Sequence, residues 1–209
     1  MHWPSPFARS SELMPKAADG SIKPGDTDYV DTWRAMETLV AKGKARAIGV
    51  SNFNQAELER LLKETDTVPA VHQLELHPYL QQKVFVAWHA EKGIHITQYS
   101  YFGNANPIYS KGQEIGKLIQ DPILTSIGEK YGKSGAQVAL AWGVKHGRSV
   151  IPKSKTEGRI AENLDAVEGA WDLSDDDVRK IDDELDKKVR FNDPSERFGW
   201  NFYQGLDGK

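Results

Sequence analysis

Cysteine is absent from the 209-residue sequence, which excludes disulfides, thiolate nucleophiles and thiolate-bound zinc or iron–sulfur sites. No apolar run approaches the roughly 18 residues that a membrane-spanning helix needs, and the N-terminus lacks the regions of a signal peptide. The formal net charge of -3 gives no electrostatic case for nucleic acid or for a membrane surface. We therefore expect a cytoplasmic globular protein that binds neither nucleic acid nor membrane.

Two glycine-rich nucleotide-binding patterns are also missing. No G-x-G-x-x-G follows a predicted strand, and no G-x-x-x-x-G-K-[ST] occurs anywhere in the chain. What the sequence does contain is an alternation of helical and strand-like segments, which is typical of a parallel α/β sheet. The missing G-x-G-x-x-G pattern favours a barrel over the alternative, a doubly wound nucleotide-binding fold.

Apolar periodicity and capping residues predict the individual elements. Helices are predicted over residues 28–41, 55–63, 81–92, 123–131, 135–145, 157–167 and from 174 onward. Strands are predicted over 45–50, 71–76, 94–100 and 149–152. A barrel needs eight strands in about 250 residues, so we expect one incomplete barrel domain over 1–209, with 187–209 as an irregular C-terminal loop.

Five short motifs stand near the ends of these predicted strands. They are His2-Trp3-Pro4, Gly49-Val50-Ser51-Asn52-Phe53, Gln73-Leu74-Glu75-Leu76-His77-Pro78, Gln98-Tyr99-Ser100 and Ile151-Pro152-Lys153-Ser154. In order and approximate spacing the set resembles the aldo-keto reductases, and the match covers nearly the whole chain. The resemblance implies a partial (β/α)8 TIM barrel. It would run from the end of the fourth strand through the eighth, followed by a C-terminal helix and a substrate loop.

Cations and hydroxyl groups gather where the predicted helix 157–167 begins. Lysines are usually solvated surface residues, but a helix N-terminus with such side chains favours a phosphate. The resemblance implies that Lys153, Ser154 and Arg159 hold the 2′-phosphate of NADPH, and that Glu162 and Asn163 hold its adenine. The predicted cofactor residues at this end are Lys153, Ser154, Thr156, Arg159, Glu162 and Asn163.

A second group of polar and aromatic residues suggests a nicotinamide pocket. Ser51, Asn52 and Gln73 can hydrogen-bond a carboxamide, and the Tyr99 ring can stack on the nicotinamide. Each also has an ordinary structural interpretation, as a cap, a satisfied polar residue or a packing aromatic. The resemblance implies the cofactor role for all four.

The stretch after Tyr99 resembles the loop that folds over the cofactor pyrophosphate in this family. Ser100, Phe102 and Gly103 are the predicted contacts. The usual Ser-Pro-Leu-Gly-Ser is replaced here by Ser-Tyr-Phe-Gly-Asn. The backbone role is expected to survive this change, whereas a side-chain contact at Asn104 is not assured.

His2 precedes Trp3-Pro4 as the family's active-site histidine does, so the resemblance implies a hydrogen bond from His2 to the substrate carbonyl. The family's proton donor is a tyrosine tuned by a lysine and an aspartate, and all three lie upstream of this motif. The chain has no positions for them, and Tyr29 and Tyr79 stand in the wrong contexts to substitute.

The other histidines receive structural interpretations. His72 and His77 lie five apart around a strand end, so they are expected to point to opposite faces of the chain. His89, His95 and His146 have no potential metal-ligand partners at suitable spacing. No metal site is predicted.

The C-terminal tail is rich in aromatic residues and corresponds to the family's variable substrate loop. The sequence of this tail, together with Trp3 and Phe7, resembles the corresponding sequences of fungal glycerol dehydrogenases and of glyceraldehyde or uronate reductases. Trp3, Phe7 and Trp200 are therefore the predicted substrate contacts, although simple packing of the tail is the alternative.

These expectations converge on reversible, NADPH-dependent reduction of small aldehydes or ketones such as glyceraldehyde, dihydroxyacetone or a uronate. The alternative is a catalytically inactive, NADPH-binding half-barrel or a truncated gene product. The parent enzyme is expected to be a monomer, and the 209-residue chain is expected to self-associate through open sheet edges.

Overall fold

A computed structural model describes residues 1–103 and 116–206 of the chain. Within these ranges the chain alternates between helices and strands. The helices are α1 Tyr29–Ala41, α2 Gln55–Glu64, α3 Lys83–Lys92, α4 Pro122–Tyr131, α5 Gly135–Lys145, α6 Glu157–Glu168, α7 Asp175–Glu184 and α8 Ser195–Phe198, with a 3₁₀ turn at Leu118–Gln120. The strands are β1 Gly49–Ser51, β2 Val71–Glu75, β3 His95–Tyr99 and β4 Ser149–Val150. The predicted α/β architecture is confirmed, and it is consistent with a partial (β/α)8 barrel.

The strands are hydrogen-bonded in the order β1-β2-β3-β4. β1 pairs in parallel with β2, with Gly49 opposite Val71, and β3 pairs in parallel with β4, with Thr97 opposite Ser149. A Cβ atom at position 49 would lie 2.6 Å from the Val71 carbonyl oxygen. Only glycine therefore allows β1 and β2 to approach as closely as they do.

Local capping signals explain where the helices begin. The Asn54 side chain accepts from the Glu57 N–H and the Glu57 side chain accepts from the Asn54 N–H, which forms a capping box at α2. Ser134 and Gln137 form the same arrangement at α5. The Ser174 side chain caps α7. Three aspartates in the first turn of α7 interact favourably with the positive end of the helix dipole.

The strand predicted over 45–50 was wrong in its extent. β1 begins only at Gly49, because the preceding residues close the end of α1. The Lys44 and Ala45 N–H groups both donate to the Leu39 carbonyl oxygen, at 2.8 and 3.3 Å. The helix predicted over 81–92 begins two residues later than expected, at Lys83, because Gln82 has a φ of 48°, which is not helical. The short helix α8 was not predicted.

The chain divides into two compact units. Unit 1 comprises Met1–Leu74, Lys83–Ile96 and Asp193–Lys209, and unit 2 comprises Glu75–Gln82 and Thr97–Asn192. In the described ranges, no helix has both the length and the apolar character needed to cross a bilayer.

The core of unit 1 joins α1 and α2 to the C-terminal tail. Trp33 of α1, Leu58 and Leu61 of α2 and Phe202 of the tail are fully buried in one hydrophobic cluster. The Trp33 indole N–H also donates to the Thr67 carbonyl oxygen at 3.1 Å, so burying this large side chain leaves no polar atom unpaired. The packing fixes the tail beside the first helices of the unit.

The core of unit 2 is built around α5. Leu140 and Trp142 of α5, Ile127 of α4 and Ile181 of α7 are all fully buried. The Trp142 indole N–H donates to an Asp182 carboxylate oxygen at 2.8 Å, which ties α5 to α7. This helical layer supports the segments that follow β3 and β4.

Candidate functional site

The turn after β1 brings three predicted cofactor residues together in unit 1. Ser51 stands opposite Gln73 in the β1–β2 pair, and the Asn52 N–H donates to the Gln73 carbonyl oxygen at 3.1 Å. Asn52 has a φ of 62°, in the left-handed region that asparagine enters more readily than most residues. The turn therefore places hydroxyl and amide groups next to each other at the carboxyl end of β1, opposite Gln73 in the middle of β2.

The N-terminal segment contacts the same turn. The Asn52 side-chain amide donates to the His2 carbonyl oxygen and to the Ser51 hydroxyl oxygen, each at 3.0 Å. The His2 imidazole is exposed and stacks on Trp3, with ring centroids 5.7 Å apart. The structure thus brings the main chain of His2 to Ser51 and Asn52 and leaves its ring accessible.

Two of the three predicted substrate contacts meet at one residue of α8. The Trp3 and Phe7 rings both pack edge-on against Phe198, with centroid distances of 5.7 and 5.5 Å. Phe7 remains 38% exposed. Phe198 and Phe202 were not among the predicted site residues, although their four-residue spacing in an aromatic tail was a signal for a shared packing surface.

Trp200, the third predicted substrate contact, is turned toward α2. Its indole N–H donates to a Glu57 carboxylate oxygen at 3.1 Å. Burial raises the pKa of Glu57 to about 7, although the hydrogen bonds from Asn54 and Trp200 act in the opposite direction. Trp200 is therefore held by a carboxyl group that titrates near neutral pH.

In unit 2, the residues after β3 form a tight turn. The Gly103 N–H donates to the Ser100 carbonyl oxygen at 2.9 Å, and both residues have positive φ. Tyr99 and Phe102 flank them and are half-buried. The turn brings the predicted loop residues together, whereas Asn104 lies outside the described residues.

A buried carboxylate anchors the segment that packs on this turn. Glu75 accepts hydrogen bonds from the Phe191 and Asn192 N–H groups at 2.7 and 2.9 Å, and it pairs with His77. The Asn192 side chain donates to the Ser100 hydroxyl oxygen at 2.9 Å. Burial opposes ionisation of Glu75, but the hydrogen bond and charge of His77, with the other partners, lower its pKa. Phe191 and Asn192 belong to the segment 187–209 that was expected to form the substrate loop, whereas no role was predicted for Glu75.

An open cleft of about 800 Å³ lies beside β4 in unit 2 and is lined by three of the predicted cofactor residues, Lys153, Ser154 and Asn163. Apolar side chains of α6, among them Ile160 and Leu164, complete its wall. The cleft therefore combines a cation, a hydroxyl and an amide with an apolar surface.

The other three predicted residues of this end lie on the exposed surface of α6. Thr156 is its N-cap residue, and in the described structure its side chain makes no capping hydrogen bond. Arg159 and Glu162 are exposed, and neither lines the cleft. The N-terminus of this 12-residue helix thus presents backbone N–H groups close to cationic side chains.

A further cation in the cleft was not foreseen from the sequence. Arg148 lines the cleft, and its guanidinium lies 4.9 Å from the centre of the Trp142 ring. Burial lowers the pKa of Arg148 to about 10. Its Nη1 atom is buried and has no hydrogen-bond partner among the described residues.

The two tyrosines considered as substitute proton donors both have partners. The Tyr79 hydroxyl donates to an Asp121 carboxylate oxygen at 2.6 Å, and burial, followed by that hydrogen bond, raises the pKa of Tyr79. The Tyr29 hydroxyl donates to the Glu57 carbonyl oxygen at 3.3 Å.

The histidines pair with neighbours inside their own units. His77 contacts Glu75 in unit 2, and His72 contacts His89 in unit 1. Across the two described ranges, no three or more histidine, aspartate or glutamate side chains are grouped so that they could hold a metal ion.

Comparison with known proteins shows one consistent relationship. A family model described as aldo/keto reductase family matches residues 1–186. An uncharacterized oxidoreductase of Schizosaccharomyces pombe is 42% identical over 194 residues. Aldo-keto reductase family 1 member A1 is 39% identical in Bos taurus and 37% identical in Homo sapiens, each over 191 residues.

These matches cover most of this chain but a smaller share of each relative. They include 92% of the chain for the yeast protein and 91% for the two mammalian proteins. In each case they cover 58% of the relative. The chain therefore spans a little over half the length of these relatives.

Proposed function

This chain belongs to the aldo/keto reductase family, and from that premise we propose that it binds NADPH for the reversible reduction of small aldehydes and ketones. The observation that carries the proposal is the unit 2 cleft, where Lys153, Ser154 and Asn163 line one surface. The proposed substrates are glyceraldehyde, dihydroxyacetone or uronate-like carbonyl compounds, with the polyol as product. The proposed location is the cytoplasm.

The residues of the cleft fit the phosphate end of NADPH. Lys153 supplies positive charge and Ser154 a hydroxyl at the cleft, while Arg159, exposed on α6, and the backbone N–H groups of the first turn of α6 are the further proposed phosphate donors. Arg148 adds a further positive charge to the cleft wall. Glu162 and Asn163 are the proposed adenine contacts, and the apolar side chains of α6 give that ring a surface on which to lie.

In unit 1, Ser51, Asn52 and Gln73 are proposed to hold the nicotinamide carboxamide, and in unit 2 Tyr99 is proposed to stack on the nicotinamide. Bound NADPH would supply the hydride. The exposed imidazole of His2 would hydrogen-bond the substrate carbonyl, while Trp3, Phe7 and Trp200 would contact the substrate. Orientation of this kind lowers the barrier by fixing reactants before reaction.

The proposal is tested by titrating NADPH and NADH into the purified chain while following cofactor fluorescence. We expect NADPH to bind at least about tenfold more tightly, which corresponds to about 1.4 kcal/mol, because only NADPH carries the 2′-phosphate. Equal affinities would contradict the assignment of the cleft. NADPH oxidation with glyceraldehyde then measures turnover.

A second candidate is NADPH binding without appreciable turnover. It is favoured by the engaged hydroxyls of Tyr29 and Tyr79, since loss of a general acid typically costs about 10²–10⁴-fold in rate. Tight NADPH binding with only trace glyceraldehyde reduction would support this candidate. Turnover near 1 s⁻¹, about the lower end of ordinary enzymes, would reject it.

A further inference from the structure

His72 on β2 and His89 on α3 form a buried pair in unit 1 that the proposed cofactor contacts do not use. Both residues are buried: His72 is 0% exposed and His89 is 1% exposed. His72 Nδ1 lies 2.7 Å from His89 Nε2, and the rings are stacked with centroids 5.0 Å apart. Polar nitrogens at such depth are costly unless each is hydrogen-bonded.

Contacts at the two ends of the pair fix both tautomers. The Phe53 N–H donates to His72 Nε2 at 3.2 Å, so in neutral His72 the proton lies on Nδ1. His72 Nδ1–H then donates to His89 Nε2, and His89 Nδ1–H donates to the Phe85 carbonyl oxygen at 2.6 Å. Burial lowers the pKa of His89, which favours this neutral arrangement.

The resulting chain of hydrogen bonds runs in one direction, from the Phe53 amide to the Phe85 carbonyl. Bonds aligned in this way polarise one another, so each strengthens the next. The series of hydrogen bonds begins at the N–H of Phe53, the residue that follows Asn52. The Asn52 backbone, with its φ of 62°, lies in the left-handed region, which asparagine enters more readily than most residues, and hydrogen bonds from its neighbours hold it there.

Two consecutive amides supply that restraint. The Asn52 N–H donates to the Gln73 carbonyl oxygen, and the Phe53 N–H donates to the His72 ring. Side chains alternate along a strand, so His72 and Gln73 point to opposite faces of β2. His72 can therefore hold the turn from the side on which α3 lies, while the Gln73 side chain on the opposite face is available to a ligand.

We propose that His72 and His89 are positioning residues for the Ser51–Asn52 turn, and that their hydrogen-bonded chain sets the groups that receive the nicotinamide carboxamide. The inference rests on the proposed cofactor role of that turn. The two imidazoles act through the Phe53 backbone amide. Breaking this series of hydrogen bonds should therefore disturb the nicotinamide contacts and spare the phosphate contacts of unit 2.

Two substitutions at one position separate this role from simple packing. His89→Phe keeps an aromatic ring but offers no acceptor to His72 Nδ1–H, whereas His89→Gln keeps an acceptor oxygen. Calorimetry on the 209-residue chain compares NADPH with 2′,5′-ADP, which carries the 2′-phosphate and adenosine but no nicotinamide. For His89→Phe we expect about tenfold weaker NADPH binding, the size of one buried hydrogen bond. Binding of 2′,5′-ADP should be unchanged, and His89→Gln should restore the NADPH affinity.

A readout without cofactor comes from NMR of the ¹⁵N-labelled chain. The Phe53 amide should exchange faster in His89→Phe and recover in His89→Gln. The wild-type imidazole spectrum should show His72 protonated on Nδ1, and protonation on Nε2 would overturn the inference even if His89→Phe does not fold.

Further outcomes separate this inference from the proposed function. Unchanged NADPH affinity in a folded His89→Phe variant, or an unchanged Phe53 amide, would overturn the positioning role alone. Failure of the wild-type chain to bind either NADPH or 2′,5′-ADP would contradict the proposed function, and the positioning role would fall with it.

Discussion

At the residue scale, the proposed role of the exposed Arg159 in cofactor choice can be tested directly. It is exposed on α6 and does not line the cleft, yet a phosphate at the helix N-terminus would be within the reach of its long side chain. We expect Arg159→Ala to weaken NADPH binding about tenfold, in the range of one charge-assisted hydrogen bond. The affinity for NADH should stay nearly unchanged. Fluorescence titration of both cofactors measures the difference.

Arg179→Ala is the matched control for that substitution. Arg179 is an exposed arginine on another helix of unit 2, where it pairs with Asp176, and its loss should leave both affinities as they are. Equal weakening of NADPH and NADH by Arg159→Ala would indicate a general change in the helix and not the loss of a phosphate contact.

Glu57 makes stability depend on pH because its pKa, about 7 in the folded chain, exceeds the ordinary value of 4.5. Between these values the unfolded chain has released the proton and the folded chain retains it. The free energy of unfolding should therefore fall as pH rises from about 4.5 to 7 and then level off. Glu57→Gln should reduce this slope, since glutamine keeps an acceptor oxygen but does not titrate.

Urea denaturation at several pH values across this window measures the slope. Glu59→Gln provides the control, because Glu59 lies on the same helix and is exposed. If Glu57→Gln and the wild-type chain showed the same slope, Glu57 would not be the group responsible.

At the scale of an element, the capping box fixes the start of α2. Asn54 Oδ1 accepts from the Glu57 N–H at 2.9 Å, and Glu57 Oε2 accepts from the Asn54 N–H at 2.8 Å. Asn54→Ala removes the first bond and should destabilise the chain by about 1 kcal/mol, measured by urea denaturation. Asn54→Asp keeps the acceptor and should cost much less; equal losses in both variants would mean that the cap contributes little.

The starts of α2, α5 and α7 could be predicted from the sequence because their signals are local. Asn54, Ser134 and Ser174 each stand immediately before the helix they cap. Strand extents are less local, because a strand exists only where a neighbouring chain accepts its hydrogen bonds. β4 has two residues where four were expected, and β1 begins four residues late since the chain before it closes α1.

The same distinction applies to the candidate site. Ser51, Asn52 and Gln73 carry the resemblance within short motifs, and the structure brings them together around one turn. Contacts between residues far apart in sequence were not foreseen, because no local pattern announces them. Glu75 and Phe191, for example, are separated by 116 positions, and the Arg148 guanidinium becomes relevant only once β4 places it in the cleft.

At the scale of the whole molecule, the exposed apolar side chains of α6 that form part of the cleft wall predict self-association of the chain without cofactor. Ile160, Leu164 and Val167 are 53%, 57% and 42% exposed, and their spacing places them on one helical face. Contiguous apolar surface of this kind usually marks an interaction site or an aggregation liability. We expect concentration-dependent association in size-exclusion chromatography with light scattering, and a shift toward monomer when Ile160 and Leu164 are both replaced by lysine.

Val84→Lys is the control for added charge. Val84 is 83% exposed on α3 of unit 1, and its replacement should leave association unchanged. A wild-type chain that stayed monomeric at every concentration would contradict the prediction.

The Arg148–Trp142 contact also has a consequence for fluorescence. Trp142 is fully buried, and the cation over its face belongs to the cleft wall. An anion that draws the guanidinium toward itself weakens the cation–π contact and so changes the electric field at an indole that solvent does not reach. We therefore expect the emission of Trp142, one of the six tryptophans of the chain, to change when an anion occupies the cleft.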